Sequence, residues 1–325
     1  VQEACYYTRD GDQIRCELCP HYCQLEEGQT GRCQVRKVKD NKLRAVTYQQ
    51  VGSIAVDPIE KKPLYHFHPG TQILSLGTKG CNLSCQFCQN HQLAQGTEVP
   101  TKELTAEQVV QLAQEKDVVG IAYTYSEPLV WYEYILETAK LAQQVGLKNV
   151  LVTNGLINSA PLEELLPYIN GINLDVKAFT EEFYQDICGG DLAPVKQTAE
   201  QVAGEVLLEI TTLLIPDLND SAKEIAALTD WIAGLNPDIP LHLARYFPRY
   251  KLNKRKTPRD TMKEAEEIAE QKLNHVYLGN IPDLAPRNTY CPTCGREVVT
   301  RDYKVEVNLT EGACPQCGRE INIVN

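Results

Sequence analysis

"ILSLGTKGCNLSCQFCQNHQL", residues 73–93, decides how this chain is read. The apolar run 73–78 predicts a buried strand, and the loop after it carries Cys81, Cys85 and Cys88 with gaps of three and two residues. No further cysteine occurs before Cys188. Three thiolates so spaced can wrap one corner of a [4Fe–4S] cubane and leave the fourth iron open to a ligand that is not protein; ordinary ferredoxin sites supply four cysteines. The other reading of the loop is a zinc ion completed by a distant His66, His68, His91 or Cys188.

Working outward, the apolar run at 73–78 is the first of seven, the others being 118–125, 148–154, 171–177, 205–215, 240–247 and 275–280. Helix-like segments lie between them. "TAEQVVQLAQEK" (105–116) opens on a Thr cap, 127–146 stops at Gly146, and 220–235 starts from an Asp or Ser cap. Strands alternating with helices predict parallel strands joined by right-handed crossovers, hence an α/β fold of the partial (β/α)6 barrel type rather than a doubly wound sheet. In such folds chemistry gathers at the C-terminal strand ends. Those ends offer Lys79, Ser126 and Glu127, Thr153 and Asn154, Asp175 and Lys177, Arg245, and Asn280. Strand ends are also polar simply because they border loops.

The 325 residues hold 32 Lys and Arg against 43 Asp and Glu, a formal charge of −11, which argues against a surface devoted to phosphate backbones. Nucleic acid is therefore an unfavoured partner. No long apolar run and no leader-like N-terminus is visible, so the expectation is a cytoplasmic protein without membrane contact. Thirteen cysteines fall into three groups, with only Cys5 and Cys188 left over. Tight C-x-x-C pairs in such a chain favour metal over disulfides. Three regions follow: a four-cysteine metal-binding arm (1–45), a barrel with its connector (46–287), and a zinc-ribbon-like module (288–325). In the arm, Cys16, Cys19, Cys23 and Cys33 suit either zinc or an auxiliary iron–sulfur cluster. In the last module, "CPTCG" and "CPQCG" aim Cys291, Cys294, Cys314 and Cys317 at one metal, zinc or mononuclear iron, with Zn²⁺ expected.

The motifs also carry a resemblance. "KPLYHFHPGT", "GCNLSCQFCQNHQLAQ", "IAYTYSEPLVWYEY", "VTNGLI", "LDVKAF", "LLIPDLND", "ARYFPRYKL" and "VYLGN" together resemble the AmmeMemoRadiSam system radical SAM proteins, close to pyruvate formate-lyase activating enzymes. The likeness runs from about residue 16 to about residue 295. It implies a [4Fe–4S] cluster on Cys81, Cys85 and Cys88, with S-adenosylmethionine (SAM) on the open iron. It further implies reductive cleavage of SAM to a 5′-deoxyadenosyl radical that abstracts hydrogen from a substrate. Within it, Glu127 of "YTYSEP" corresponds to the acidic motif that binds the methionine ammonium, with Tyr125 and Ser126 standing where the family pattern has glycines. Asp175 and Lys177 match a D-x-K strand that approaches SAM. Asn154 and Arg245 sit where SAM would also lie. A one-electron donor such as a flavodoxin or ferredoxin is implied as a partner.

No residue of the sequence is assigned as catalytic in its own right. His66 and His68 are read as ordinary hydrogen-bonded connector histidines, although both could face the site. The run 245–259 holds seven Lys and Arg and no acid, with Tyr246, Phe247 and Tyr250 among them. It is either a solvated loop or a contact for an anionic substrate, RNA included. The function expected is radical chemistry on a protein, in the manner of a glycyl-radical activase. The alternatives are radical modification of a small molecule or RNA and, from another class, a non-catalytic zinc protein that binds partners through its knuckles.

Overall fold

All seven apolar runs form strands of one sheet. The computed structural model describes residues 1–325 except 12, 97 and 282–287. An edge strand, β1 (Ser53–Pro58), pairs antiparallel with β2 (Gln72–Gly77). Then β3 (Gly120–Tyr123), β4 (Lys148–Thr153), β5 (Gly171–Asp175), β6 (Leu207–Leu214), β7 (Leu241–Arg245) and β8 (Val276–Gly279) follow in parallel. Spatial order equals chain order from β1 to β8. A doubly wound sheet would reverse direction at a switch point. Successive right-handed crossovers without reversal put every helix on one face and leave the other to be filled by something else. Closure would need β8 to pair with β1 or β2, and no such pair exists among the described residues.

The crossovers are α1 (Ala106–Glu115), α2 (Tyr132–Gln144), α3 (Ser159–Leu165), α4 (Leu192–Val202), α5 (Ala222–Leu235) and α6 (Arg259–Glu270). The expected Thr105 cap is a full capping box with Gln108, and Ser221 caps α5 through the Glu224 N–H. The connector segment 46–72 gives the sheet its edge strand and then turns inward. Glu209, buried in the middle of β6, accepts the backbone N–H groups of Tyr65 (3.0 Å) and His66 (2.7 Å) and faces His242 Nε2 at 2.6 Å. Asn173 on β5 donates to Pro63 O (2.8 Å), and Phe67 packs on Gly171. The connector is thus the filling of the helix-free face. Truncating the fully buried Phe67 to Ala is expected to cost about 3–5 kcal/mol.

The two cysteine modules sit at opposite ends of the strands. The N-terminal arm lies over the C-terminal ends: Asn158, after β4, donates to Glu17 O (2.7 Å), and Arg36 forms a buried ion pair with Glu133 of α2. The C-terminal module lies at the N-terminal ends. Arg319 pairs with Asp238 just before β7 (2.7 Å), Val305 packs on Gly70 before β2, and Val324 bridges Phe67. The boundary expected at residue 287 falls outside the described residues.

Candidate active site

The cysteine loop leaves β2 and is moored on every side. Ser84 and Gln86 donate backbone N–H groups to Cys188 O (2.7 Å) and Ile187 O (3.0 Å), while Gln86 O accepts from Lys251 and Leu252. Asn82 donates to Leu156 O (2.7 Å), and its own carbonyl meets His21 Nε2 at 2.7 Å. Gly80 has φ +103°, and a Cβ there would lie 2.6 Å from Cys33 O, so only glycine lets the arm come this close. Cys188, left over by the sequence reading, is fully buried against Cys85. Its thiol hydrogen-bonds the Cys85 sulfur, which holds Cys85 below the ordinary thiol value, while burial pushes Cys188 itself up.

After β3 the chain turns through Tyr125 at φ +72°, a left-handed conformation that glycine adopts freely and tyrosine does not. The strain is held by the Tyr125 hydroxyl on Asp57 (2.8 Å) and by the Lys62 ammonium over its ring. Ser126 Oγ donates to Thr78 O (2.6 Å), tying this turn to the cysteine loop. Glu127 is buried and accepts from Thr153 Oγ1 (2.6 Å) and the N–H groups of Asn154 (2.8 Å) and Leu129 (3.0 Å). Burial pushes its carboxyl up, against these hydrogen bonds, which favour the carboxylate.

Asn154 places its amide Nδ2 on Cys81 Sγ (3.7 Å) and Asn82 Oδ1 (2.9 Å), so it grips the cysteine loop. Lys177 and Asp175 form an ion pair at the end of β5. Burial opposes the Lys177 charge, but Asp175 and Cys85 outweigh it and hold the ammonium above the ordinary lysine range. The other Asp175 oxygen, Oδ1, is buried without a partner. The three cysteines of the loop, Ser126, Glu127, Asn154, Asp175 and Lys177 all line one cavity of about 530 Å³, with Thr211, His242 and Asn280 also on its wall. Arg245 does not line it: Nε donates to Thr257 O (2.7 Å) and the guanidinium lies over Phe247.

The pattern of the radical SAM superfamily matches residues 75–229. The uncharacterized protein MJ0808 of Methanocaldococcus jannaschii is 38% identical over 308 residues, 93% of this chain and 92% of its own. The chain belongs to the radical SAM superfamily. Among solved structures, a radical SAM methyltransferase from Sphaerobacter thermophilus aligns with a TM-score of 0.51 at 16% identity, over 91% of this chain and 80% of that one. Streptococcus suis SuiB bound to precursor peptide SuiA gives 0.52 at 18% identity, over 70% of this chain and 52% of SuiB. At such identities the likeness is one of fold. Superfamily membership makes the protein a radical SAM enzyme, with a [4Fe–4S] cluster and SAM as its cofactors. The residues present fit that pair: three convergent thiols, a buried carboxylate, and an orphaned Asp175 oxygen face one cavity.

Elsewhere the sequence expectations separate. His66 is buried between Tyr277 OH (2.8 Å) and Asn322 O (3.1 Å), and His68 donates its N–H to Val324 O, so both serve the junction with the C-terminal module. The basic run packs beside the cysteine loop, with Tyr250 stacked on His91 (4.4 Å) and Phe247 exposed. The C-terminal knuckles repeat one geometry: Gly295 N–H to Cys291 O and Gly318 N–H to Cys314 O, both 2.9 Å. Their four sulfurs lie within 4.8 Å of one another, a set that can bind a metal. No described helix is long and apolar enough to cross a membrane.

Proposed function

We propose that this radical SAM enzyme belongs to the AmmeMemoRadiSam group and acts on a protein substrate in the manner of a glycyl-radical activase. The observation that supports it is the single cavity shared by Cys81, Cys85 and Cys88, Glu127, and the Asp175–Lys177 pair. Cys81, Cys85 and Cys88 hold the cluster, which supplies with SAM the 5′-deoxyadenosyl radical that takes hydrogen from the substrate. Glu127, oriented by its three donors, receives the methionine ammonium. Lys177 meets the SAM carboxylate, and Asp175 Oδ1 accepts a donor from SAM or substrate. Asn154 and Ser126 position the two loops rather than bind SAM through their side chains, and Arg245 acts only by shaping the end of β7. Zn²⁺ occupies the C-terminal knuckles, since thiolates on one tetrahedral zinc lie roughly 3.8 Å apart and the Cys291–Cys317 and Cys294–Cys314 sulfurs are 3.5 and 3.6 Å apart.

Arg249, Lys251, Lys254, Arg255 and Lys256 beside the cysteine loop suit an acidic one-electron donor of the flavodoxin or ferredoxin kind, in the cytoplasm. A second reading, radical modification of RNA or a small anion, is favoured by exposed Phe247 and Tyr250 on the same loop. Anaerobic incubation with reductant, SAM and fractionated cell extract decides between them. Release of 5′-deoxyadenosine that follows a protein fraction and leaves an EPR doublet supports the first reading. Release that follows the RNA or small-molecule fraction overturns it.

A further inference from the structure

We propose that Cys16, Cys19, Cys23 and Cys33 hold a second [4Fe–4S] cluster that abuts the first and passes electrons to it. All four thiols line one small cavity with Leu18, Val130 and Arg36. Their sulfurs are not gathered as those of the C-terminal quartet are. Among the described residues, the C-terminal quartet is the one group of three or more metal-binding side chains whose ligand atoms lie within 4.8 Å of one another. A zinc ion draws its thiolates to roughly 3.8 Å, whereas a cubane spreads them over four irons. Cys81, Cys85 and Cys88 provide an internal standard: they too stand wider than the C-terminal set, and theirs is the cluster loop. By the same measure the N-terminal four group with the cluster loop.

The surroundings suit sulfur-rich anionic cargo. Arg36, 1% exposed, keeps its Nε without a partner while its other nitrogens hold Glu133 and Cys5 O. An N–H so placed is a donor for cluster or thiolate sulfur, which tune with such bonds.

Position supplies the role. Cys33 O packs on Gly80, the residue before Cys81, and His21, between Cys19 and Cys23, holds Asn82 O. The backbones of the two cysteine segments are thus in direct contact. An electron from a one-electron protein donor, or from dithionite, would reduce the N-terminal cluster. That cluster is reoxidised as the first gains the same electron, and no proton need move. This relay rests on the radical SAM reading of the first site; the metal assignment does not.

The triple variant C81A/C85A/C88A, purified anaerobically, isolates the question. About four irons and four sulfides per chain with broad visible absorbance are expected. Zinc in their place, or no iron, overturns the assignment whatever the first site holds. In the full chain, Cys19→Ala with Cys23→Ala should halve iron per chain while zinc at the C-terminal knuckles, a marker of intact folding, stays; unchanged iron overturns it. The EPR spectrum of dithionite-reduced protein should be broader than the sum of the two variants. A simple sum overturns the relay.

Discussion

The two four-cysteine modules are built from the same ligand in similar C-x-x-C pairs, yet they share neither geometry nor place. The C-terminal four converge within 4.8 Å at the N-terminal ends of the strands, and none of them lines the cavity. The N-terminal four stand apart and press on the loop of Cys81. Ligand type leaves the metal open; spread and neighbours narrow it. The first module is placed to take part in chemistry, and the second to hold the bottom of the sheet shut.

That contrast can be broken most sharply at the loop itself. Cys85→Ala should bring 5′-deoxyadenosine release below detection, while the paired C294A/C317A variant should lose zinc and keep release within about threefold, since no C-terminal residue touches the cavity. Loss of release in the latter would erase the distinction between the ends. Next, Glu127→Ala should raise the SAM dissociation constant by about 10- to 100-fold, the worth of a hydrogen bond to a charged group, with iron content unchanged; equilibrium binding by anaerobic filtration reads it. Glu133→Ala leaves the Arg36 guanidinium buried and unpaired, which should cost about 3–5 kcal/mol in denaturant unfolding and free the arm before the sheet.

The smallest effect separates the two ends by pH. Burial lowers His275 from the model-peptide range to about 4, where it packs on His66 beneath the C-terminal module. Its folded value lies below its unfolded one, so the unfolded chain binds the extra proton first. The contribution is complete above about pH 6.5, and about 3 kcal/mol is lost as pH falls toward 4. Hydrogen exchange should show the C-terminal module opening in this window before the arm does, and His275→Gln should flatten the response. Uniform opening would show that the ends do not respond separately.

Much of this was legible in the sequence, because parallel buried strands are near-continuous apolar runs and caps are local. All seven runs and the Thr105 cap are present in the structure. Crossovers α3 and α4 were harder to name, since Pro161 and Pro194 sit in their first turns and blur the pattern. One short strand was expected in the connector, but its place at the edge of the sheet was not, because Ile54 and Val56 point outward and leave little buried alternation to detect. In the site, the cysteines announced themselves by spacing, and Glu127 by its strand end and the resemblance of "YTYSEP". Contacts between distant segments did not: Cys188 on Cys85, Arg36 on Glu133 and the connector on Glu209 join residues roughly 100 or more positions apart, and no local pattern encodes such a meeting. Tyr125 is intermediate. Its place in a glycine position was visible, but the left-handed turn and the Asp57 anchor that sustains it were not.

Val324 exchanges backbone hydrogen bonds with His66 and His68, so an earlier-translated segment is finished by one translated roughly 250 residues later. During synthesis, the connector, the cysteine loop and the arm all leave the ribosome while the underside of the sheet is still open. The metal-bearing upper end can therefore be assembled on a chain whose lower end is not yet sealed. Timing, as much as final stability, would then decide which metal reaches which cysteines.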